Sequence, residues 1–288
     1  MDSWELKAEK DFTIPSNELL LVPGSNSQER YEFIRNIKIP NQGLKRAAII
    51  GSLSLVKYFI NRGANRKVLR LAIENGHLDI VKYLIEQGAN IHEYALRRAA
   101  EKGYLDIVKY LVEQGVDLHA LNEEALRLAA DNGHLDVVKY LVEQGANLHA
   151  LNEDALQSAA YEGHLDVVKY LVEQGADINA NHDSILLLAA CGGHLDVVKY
   201  LVEKGANLHN EGVLINAARD GYLDVVKYLV EQGVNPHVFD NEALTSAAED
   251  GHLDVVKYLV EQGADPLEIL DLRDIYPPEI ITYIESII

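Results

Sequence analysis

Histidine is the side chain that most readily supplies a nitrogen ligand to a metal ion, and the sequence contains 11 of them. Five of the histidines occupy the same position in a segment that the chain repeats, and in two further copies of this segment Tyr104 and Tyr222 stand at that position. A zinc site does not tolerate the replacement of histidine by tyrosine. No cysteine or close histidine pair supplies zinc-ligand spacing. We therefore expect no metal, and we interpret the repeated histidines as hydrogen-bonding groups in the structure. One set comprises His77, His134, His164, His194 and His252, and the other comprises His92, His119, His149, His209 and His237.

Nucleophilic catalysis would have to use Cys191, the single cysteine of the chain. A catalytic cysteine needs a base, and no base stands apart from the repeated histidines. The sequence also lacks a glycine-rich phosphate loop, a serine in a nucleophile elbow and an unrepeated carboxylate pair on a common face. We therefore expect no catalytic residue and no cofactor, and we interpret Cys191 as a small, half-buried side chain.

The composition excludes several classes of partner. A formal net charge of −19 argues against binding to duplex nucleic acid, which relies on clustered lysine and arginine. No window approaches the roughly 18 consecutive apolar residues of a membrane span, and residues 1–12 lack the basic start and apolar core of a secretory signal. A single cysteine excludes an internal disulfide and fits a reducing interior. We expect no membrane or nucleic-acid partner.

A stretch of the sequence is repeated almost unchanged along the chain. It reads Gly-His-Leu-Asp-Val-Val-Lys-Tyr-Leu-Val-Glu-Gln-Gly-Ala and begins at Gly133. Its opening glycine recurs at intervals of 25 to 30 residues, which indicates eight units of one structural type. The glycines are Gly51, Gly76, Gly103, Gly133, Gly163, Gly193, Gly221 and Gly251.

Each unit contains two short helical patterns. Apolar residues repeat at spacings of three and four from Leu135 to Glu143, which predicts an amphipathic helix. A second short helix is expected over Glu123 to Asp131, with Ala129 and Ala130 small enough for close helix contact. Isolated helices shorter than about 12 residues are marginal in water, so each pair must pack on the next and form a solenoid.

These residues carry a resemblance to a known family. One unit reads Ala129-Ala130-x-x-Gly133-His134-Leu135-Asp136-Val137-Val138, then Leu141-Val142-x-x-Gly145-Ala146-Asn147. The pattern resembles the ankyrin repeat and covers residues 41–268. The resemblance implies an all-α solenoid of about eight helix-turn-helix units with atypical caps. The near-identity of the units also resembles the ankyrin-repeat proteins of giant DNA viruses of amoebae, which would place the protein in the cytoplasm of an infected host cell.

The sequence departs from the family pattern in its first helices and in its period. The interval is mostly 30 residues, against about 33 for the family, so the hairpin between units should be shortened. The Thr-Pro-Leu-His motif that opens the first helix of the family is absent. Asp154 and Ser184 are expected to cap their helices, and Asn122 is expected to cap the helix that follows it.

The residues that vary between units are expected on the concave face, which the first helices and hairpins line in this family. The second helices vary little and should form the convex back. Tyrosine and arginine are frequent in binding hot spots, which favours a protein-binding patch among the variable positions. Alternatively, Leu187 and Ile215 fill space between first helices and the other changes are drift. The predicted patch comprises Tyr161, Leu187, Cys191, Ile215 and Arg219, flanked by His182 and Asp183 on one hairpin.

A second candidate surface is basic. Arg70, Arg97 and Arg127 occupy one position of successive first helices, and Arg98 lies beside Arg97. Arginine binds carboxylates well, so these residues could contact an acidic segment of a partner. The alternative is a solvated face that nearby Glu and Asp side chains balance.

The two ends differ from the middle. Residues 1–40 are interpreted as an N-terminal cap or a small extra module, with a helix from Gln28 to Ile37. Residues 269–288 are expected to form a C-terminal capping helix, because a terminal unit exposes an apolar face. This segment also resembles the first helix of an F-box, with Tyr276 in place of the first leucine and no further F-box helices. That resemblance implies adaptor contacts through Pro278, Ile280 and Ile284.

Two functions follow from these observations. The first is a non-enzymatic module, more consistent with a monomer than an oligomer, whose concave face binds a host or viral protein. The second is a substrate adaptor of a cullin-type ubiquitin ligase, which uses the same face for the substrate and the C-terminal helix for the ligase. The two differ in whether Ile280, Ile284 and Ile287 are buried against the last repeat or exposed.

Overall fold

The computed structural model describes residues 3–12, 14, 18, 22, 24, 26–35, 40–65, 67–92, 94–208, 210, 212–271 and 275–288, with only the backbone at 181–183 and 238–240. In this part of the chain the regular secondary structure is entirely α-helical, which confirms the predicted fold class. The chain forms two compact units, residues 1–125 and residues 126–288, which are called the first unit and the second unit below. The repeated helix pairs within them are called repeats.

The first unit begins with two helices that precede the repeats and continues with helix pairs. The elements are α1 (Ser3–Phe12), α2 (Ser27–Arg35), α3 (Pro40–Ile50), α4 (Leu53–Asn61), α5 (Leu69–Glu74), α6 (Leu78–Glu86), α7 (Tyr94–Glu101) and α8 (Leu105–Glu113). Helix α9 (Ala120–Asp131) starts in this unit and ends in the second. First helices α3, α5 and α7 pack side by side, and so do second helices α4, α6 and α8.

The second unit continues the same arrangement. Its helices are α10 (Leu135–Glu143), α11 (Asp154–Tyr161), α12 (Leu165–Glu173), α13 (Ala180–Cys191), α14 (Leu195–Glu203), α15 (Gly212–Arg219), α16 (Leu223–Glu231), α17 (Val238–Glu249), α18 (Leu253–Glu261), α19 (Leu267–Asp271) and α20 (Pro278–Ile287). First helices α11, α13, α15 and α17 contact one another in order, and second helices α10, α12, α14, α16 and α18 do the same.

The second helices have the bounds that the periodicity predicted. Helix α10 buries Val137, Val138 and Leu141 and leaves Leu135 and Val142 half-buried. The predicted caps are wrong. Asp154 is the first residue of α11 and forms an ion pair with Arg127, and Ser184 lies inside α13. The three residues before Glu124, Asn122 among them, adopt left-handed backbone conformations.

Within each of the two units, histidine or tyrosine rings pack on the glycine of the preceding repeat. His77 Nε2 lies 2.9 Å from the carbonyl oxygen of Ile49, and the ring lies against Gly51. In the second unit, His164 Nε2 lies 2.9 Å from the carbonyl oxygen of Asp131. The ring thus satisfies a carbonyl left unpaired at the end of a first helix. These contacts agree with the interpretation of this histidine set as structural.

The second helices are joined by a row of cation–π contacts that the sequence did not predict. Lys139 Nζ lies 5.7 Å from the ring centroid of Tyr170 in the next repeat. Such contacts contribute about 0.5–1 kcal/mol at exposed sites. The row comprises Lys57–Tyr83 and Lys82–Tyr110 in the first unit, and Lys139–Tyr170, Lys169–Tyr200, Lys199–Tyr228, Lys227–Tyr258 and Lys257–Tyr283 in the second.

The C-terminal helix occupies the place of one more second helix. Helix α20 packs on α18, and Lys257 lies over the ring of Tyr283, as the lysines of α12, α14 and α16 lie over the tyrosine of the next repeat. Pro277 follows His252 by 25 residues and packs near Gly251, where other repeats place a ring. The described residues 265–271 and 275–288 therefore form a degenerate ninth repeat, with α19 as its short first helix.

Before the first repeat, α1 and α2 form an aromatic cluster that reaches α4. The ring centroid of Phe12 lies 5.0 Å from that of Tyr31 and 5.4 Å from that of Tyr58. Glu18 accepts hydrogen bonds from Ser52 Oγ at 2.7 Å and from the Ser54 amide at 3.1 Å, at the start of α4. Helix α2 ends at Arg35, shorter than the predicted helix, whose last two residues lie outside the described part of the chain.

A matched pair of substitutions tests the contact between rings and glycines. Gly51 and Gly63 both have positive φ, at 79° and 83°. A Cβ atom at Gly51 would lie 2.5 Å from His77 Cε1, whereas at Gly63 no atom lies within 4 Å. Gly63→Ala should destabilise by about 1–2 kcal/mol through backbone strain alone, and Gly51→Ala by about 2–4 kcal/mol because the ring must also move. Urea unfolding followed by circular dichroism measures both, and an equal loss would contradict the role of the ring.

Candidate functional site

The variable residues of the second unit lie on the first helices. Tyr161 is the last residue of α11 and is 48% exposed, and Arg219 is exposed at the end of α15. Leu187 and Cys191 lie between them on α13 and are half-buried. Because α11, α13 and α15 pack in that order, these four side chains fall on three consecutive helices. We call them the central patch.

Ile215 does not belong to this patch, although the sequence placed it there. It is 5% exposed and lies in the core. Leu187, at the equivalent position of α13, remains half-buried. A branched side chain packed between α13 and α17 is covered by its neighbours, so it strengthens the array and offers no contact surface. This outcome agrees with the alternative that Ile215 fills space between first helices.

The two flanking residues of the patch, His182 and Asp183, have side chains outside the described part of the structure. Their contribution to the patch stays a prediction.

Gly192 shapes the patch and was missed by the sequence analysis. A Cβ atom at this position would lie 2.2 Å from the carbonyl oxygen of Tyr161, so the end of α13 approaches the end of α11 more closely than a larger residue would permit. The signal in the sequence was the second glycine of Cys191-Gly192-Gly193, where the neighbouring repeats have Glu162 and Asp220.

Arg219 is the charged member of the central patch. Its Nη1 donates a hydrogen bond to Asn216 Oδ1 at 2.9 Å on its own helix, and no carboxylate of the described residues forms an ion pair with it. The guanidinium is therefore available to a carboxylate or carbonyl group of a partner.

Cys191 lies close to Arg219 and Asp220, but its surroundings do not activate the thiol. Burial, followed by the charge of Asp220, raises the pKa of the Cys191 thiol, and Arg219 opposes this only in part. A reactive cysteine requires a lowered pKa. Cys191 therefore contributes a small apolar surface between Tyr161 and Arg219.

The arginines of the predicted basic patch are paired with carboxylates of their own chain. In the first unit, Arg97 Nη1 lies 3.0 Å and 3.1 Å from the two carboxylate oxygens of Glu124. Arg98 bridges Glu74 and Glu101 at 3.1 Å and 2.7 Å. Arg70 Nε lies 3.0 Å from Glu74.

In the second unit, Arg127 pairs with Asp154 of the following first helix. These ion pairs agree with the balanced face that the sequence left open as an alternative. Arg98 and Arg127 have their guanidinium groups occupied between helices, so they act as links between neighbouring repeats.

Two histidines of the second set, His119 and His149, form clasps within the hairpins, whereas His209 lies outside the described residues. In the second unit His149 Nδ1 lies 2.5 Å from Glu153 Oε1, and Glu153 is buried. The clasp encloses three consecutive residues with positive φ, from Leu151 to Glu153. This turn directs Leu151 outward, where it is 50% exposed. An equivalent clasp in the first unit joins His119 Nδ1 and Glu123 Oε1 at 2.6 Å.

The exposed hairpin leucines were also missed by the sequence analysis, which compared only the first helices. Leu121 is exposed in the first unit, as Leu151 is in the second. Their signal was an apolar residue in the repeated segment His-Ala-Leu-Asn-Glu, where a shortened hairpin would otherwise be polar. Leu151 adds an apolar contact to the same unit as the central patch.

The residues proposed for a ligase contact lie mostly in the core. Ile280 and Ile284 are 0% exposed, because they occupy the buried positions of the ninth repeat, and only Pro278 is exposed. An adaptor contact through the two isoleucines would require α20 to leave α18. The structure therefore argues against the ligase contact that the sequence suggested.

Among the described residues, no group of three His, Cys, Asp or Glu side chains could hold a metal ion. None of the described helices is both long and apolar enough to cross a membrane.

Comparison with known proteins agrees with the repeat pattern. The family model described as "Ankyrin repeats (3 copies)" matches residues 44–122, 96–182, 126–212 and 186–269. Among solved structures, the human ASB11 ankyrin repeat domain is similar, with a TM-score of 0.53 and 26% identity over 59% of this chain and 84% of that one. No curated protein matches the sequence significantly. None of these comparisons supports the resemblance to giant-virus proteins.

Alkylation tests the environment of Cys191. Because burial raises the pKa of the thiol, the reactive thiolate is scarcer at a given pH than in an exposed cysteine. Iodoacetamide at pH 8 should therefore modify Cys191 more slowly than it modifies a cysteine in a short peptide, and the rate should rise through a higher pH range. Mass spectrometry measures the rate, and modification as fast as in the peptide would contradict this account.

Two truncations on α20 test whether the helix is a unit of the fold. Ile280→Ala should destabilise the second unit by about 2–5 kcal/mol, because it leaves a cavity in the core. Ile287, on the same helix, is 46% exposed, so Ile287→Ala should change stability by less than about 0.5 kcal/mol. Denaturant unfolding compares the variants. Two equally small effects would mean that α20 is not anchored on α18.

Proposed function

Because the chain belongs to the ankyrin-repeat family, a family of protein-binding scaffolds, we propose that it binds a protein partner through the exposed face of its first helices and hairpins. The central patch and Leu151 would form the contact in the second unit. The proposal includes no chemical step, because the partner is held and not converted.

The observation that carries this proposal is the contrast between the two helices of each repeat. The five second helices α10, α12, α14, α16 and α18 have one identical sequence, Leu-Asp-Val-Val-Lys-Tyr-Leu-Val-Glu. The first helices that lie beside them differ at every exposed position of the central patch. Variation confined to one face is what a binding surface on a constant support requires.

The side chains of the patch are suited to hold a protein. Tyr161 presents an aromatic ring, which gives a large contact area for the loss of few rotamers. Arg219 can donate two parallel hydrogen bonds to a carboxylate of the partner. Leu187 lies between Tyr161 and Arg219 and offers an apolar contact. A stable interface buries about 800 Å² on each partner, more than four side chains supply. Leu151 and the neighbouring hairpins would therefore contribute to the contact.

The ubiquitin-ligase adaptor has less support, because Ile280 and Ile284 lie in the core instead of on the surface. An enzymatic function also has less support, since the Cys191 thiol has a raised pKa. In addition, described histidines of the first set, such as His77 and His164, bind backbone carbonyls of the preceding repeat.

A double substitution tests the central patch. Tyr161→Asp with Leu187→Asp should reduce capture of the partner from a lysate of the source cells at least about tenfold, because two charges would be buried at the contact. Both positions are solvent-accessible in the free protein, so circular dichroism should show an intact fold. Affinity purification with quantitative mass spectrometry compares the variant and the original chain.

Gln174→Asp with Gln232→Asp is the matched control, because it adds the same charge at exposed positions that follow the second helices α12 and α16. The control should retain the partner. If both double variants lose it equally, charge and not the patch determines binding. If neither loses it, the central patch is not the binding surface.

A further inference from the structure

The first unit contains a cleft that none of the sequence patterns identified. It consists of two adjoining cavities of about 640 Å³ and about 540 Å³, which share Asn90, His92 and Tyr94. The cavities lie between the hairpins and first helices of neighbouring repeats. Their size is in the range of sites that hold a small molecule or a few residues of a peptide.

The walls of this cleft carry positive charge. Lys67 and Arg70 line the larger cavity, Arg97 lines the smaller one, and no described carboxylate lines either. Arg66 and Glu93, which are close in sequence, lie outside the described residues. Lys67 and Arg70 belong to a segment, residues 41–70, that holds seven basic residues and no acidic one.

The three cations differ in the strength of their ion pairs with carboxylates of the same chain. Lys67 is exposed and forms no ion pair with a described residue. The Arg70 side chain is 66% exposed, and its pair with Glu74 is on the surface, where such pairs contribute about 0–1 kcal/mol. Arg97 is held by Glu124 with its outer edge accessible. An incoming carboxylate can therefore bind Lys67 and Arg70 without displacing a strong internal contact.

Between the cations the cleft contains aromatic and apolar side chains together with Asn65 and Asn90. The rings of His92 and Tyr94 stack with their centroids 5.8 Å apart and their planes at 23°. Tyr94 is half-buried, Leu69 is buried, and the exposed side chain of Leu121 borders the smaller cavity. An aromatic or aliphatic side chain of a ligand would find a flat partner there.

We propose that this cleft binds an acidic peptide segment of a partner protein, with a carboxylate at Lys67 and Arg70 and an apolar side chain against the stacked rings of His92 and Tyr94. The inference rests on the proposed scaffold function and gives it a second contact with a defined chemistry. It shares Arg70 and Arg97 with the predicted basic patch and adds Lys67, His92 and Tyr94, whereas Arg98 and Arg127 do not line the cleft.

The charge of the whole chain favours a peptide over a nucleic acid. Residues 1–125 hold 17 basic and 17 acidic side chains, and residues 126–288 hold nine basic and 28 acidic ones. A polyanion such as a nucleic acid would contact many phosphates and be repelled by most of the chain. A short acidic segment needs only the local cations of the cleft.

Fluorescence anisotropy with a labelled peptide tests the proposal on the full chain. The probe is Glu-Glu-Phe-Glu-Glu, and Glu-Glu-Ala-Glu-Glu reports the contribution of the aromatic ring. Lys67→Glu with Arg70→Glu should weaken binding of the first probe at least about tenfold, a loss of about 1.4 kcal/mol. Raising the salt concentration from about 0.05 M to about 0.5 M should weaken binding to the original chain, because the contact is partly exposed.

Lys57→Glu with Lys82→Glu is the matched control, since it makes the same change of charge on second helices of the same unit. It should bind the probe within about threefold of the original chain. An equal loss in both double variants would mean unspecific attraction and would overturn the proposal. So would the absence of probe binding, or tighter binding of a single-stranded oligonucleotide than of the peptide.

The Tyr161→Asp and Leu187→Asp double variant separates this proposal from the scaffold function. It should bind the probe as the original chain does. If it loses the probe while Lys67→Glu with Arg70→Glu retains it, the acidic segment binds at the central patch. The cleft proposal then fails, and the scaffold function stands.

Discussion

The stacking of repeats within each unit depends on a ring that one repeat places against the glycine of the repeat before it. The helices have mostly eight to twelve residues and are too short to be stable alone, so their stability comes from neighbours. The ring of His77 fills the space that the missing Cβ of Gly51 leaves, and its nitrogen lies 2.9 Å from a carbonyl oxygen at the end of α3. The position accepts histidine or tyrosine, because Tyr104 reaches the carbonyl of Glu74 in the same way at 3.5 Å. The rest of the first helix is left free to vary.

This division explains why the protein has one constant and one variable face. The second helices must place lysine over tyrosine from one repeat to the next, and their apolar side must fit the adjacent helices on both sides. A change in one of them alters two interfaces. A change at Tyr161 or Arg219 alters none, because these side chains lie at the ends of first helices and point into solvent. Surface variation there is tolerated by the fold and can be selected by a partner.

Much of the fold could be predicted from the sequence, because the same pattern of apolar residues and glycines occurs in each repeat. The bounds of α10, the solenoid of helix pairs and the structural use of His77 were all predicted. The exposed fraction of each side chain was not predicted, because periodicity assigns a residue to one side of a helix but does not show how deeply its side chain is buried. Ile215 and Leu187 share one register, yet only Ile215 is buried. The ninth repeat was also not predicted, since Pro277 stands where the other repeats have histidine or tyrosine, and the residue before Pro277 is not glycine. The cleft of the first unit was invisible for a related reason, because His92 and Tyr94 belong to a hairpin whose geometry the helical pattern does not describe.

The row of lysine and tyrosine contacts has a consequence for how such a protein changes in length. Within each of the two units, neighbouring repeats present the same lysine on one side and the same tyrosine on the other, so a recombination event that adds or removes a whole repeat there rebuilds an equivalent junction. The last repeat differs, because Thr282 stands where lysine would be and its hydroxyl donates a hydrogen bond to the carbonyl oxygen of Pro278 in its own helix. If a repeat were added after α20, its tyrosine would face Thr282 and no lysine would lie over its ring. Interior duplication therefore preserves the lysine–tyrosine contact, whereas a repeat added after α20 would form without it.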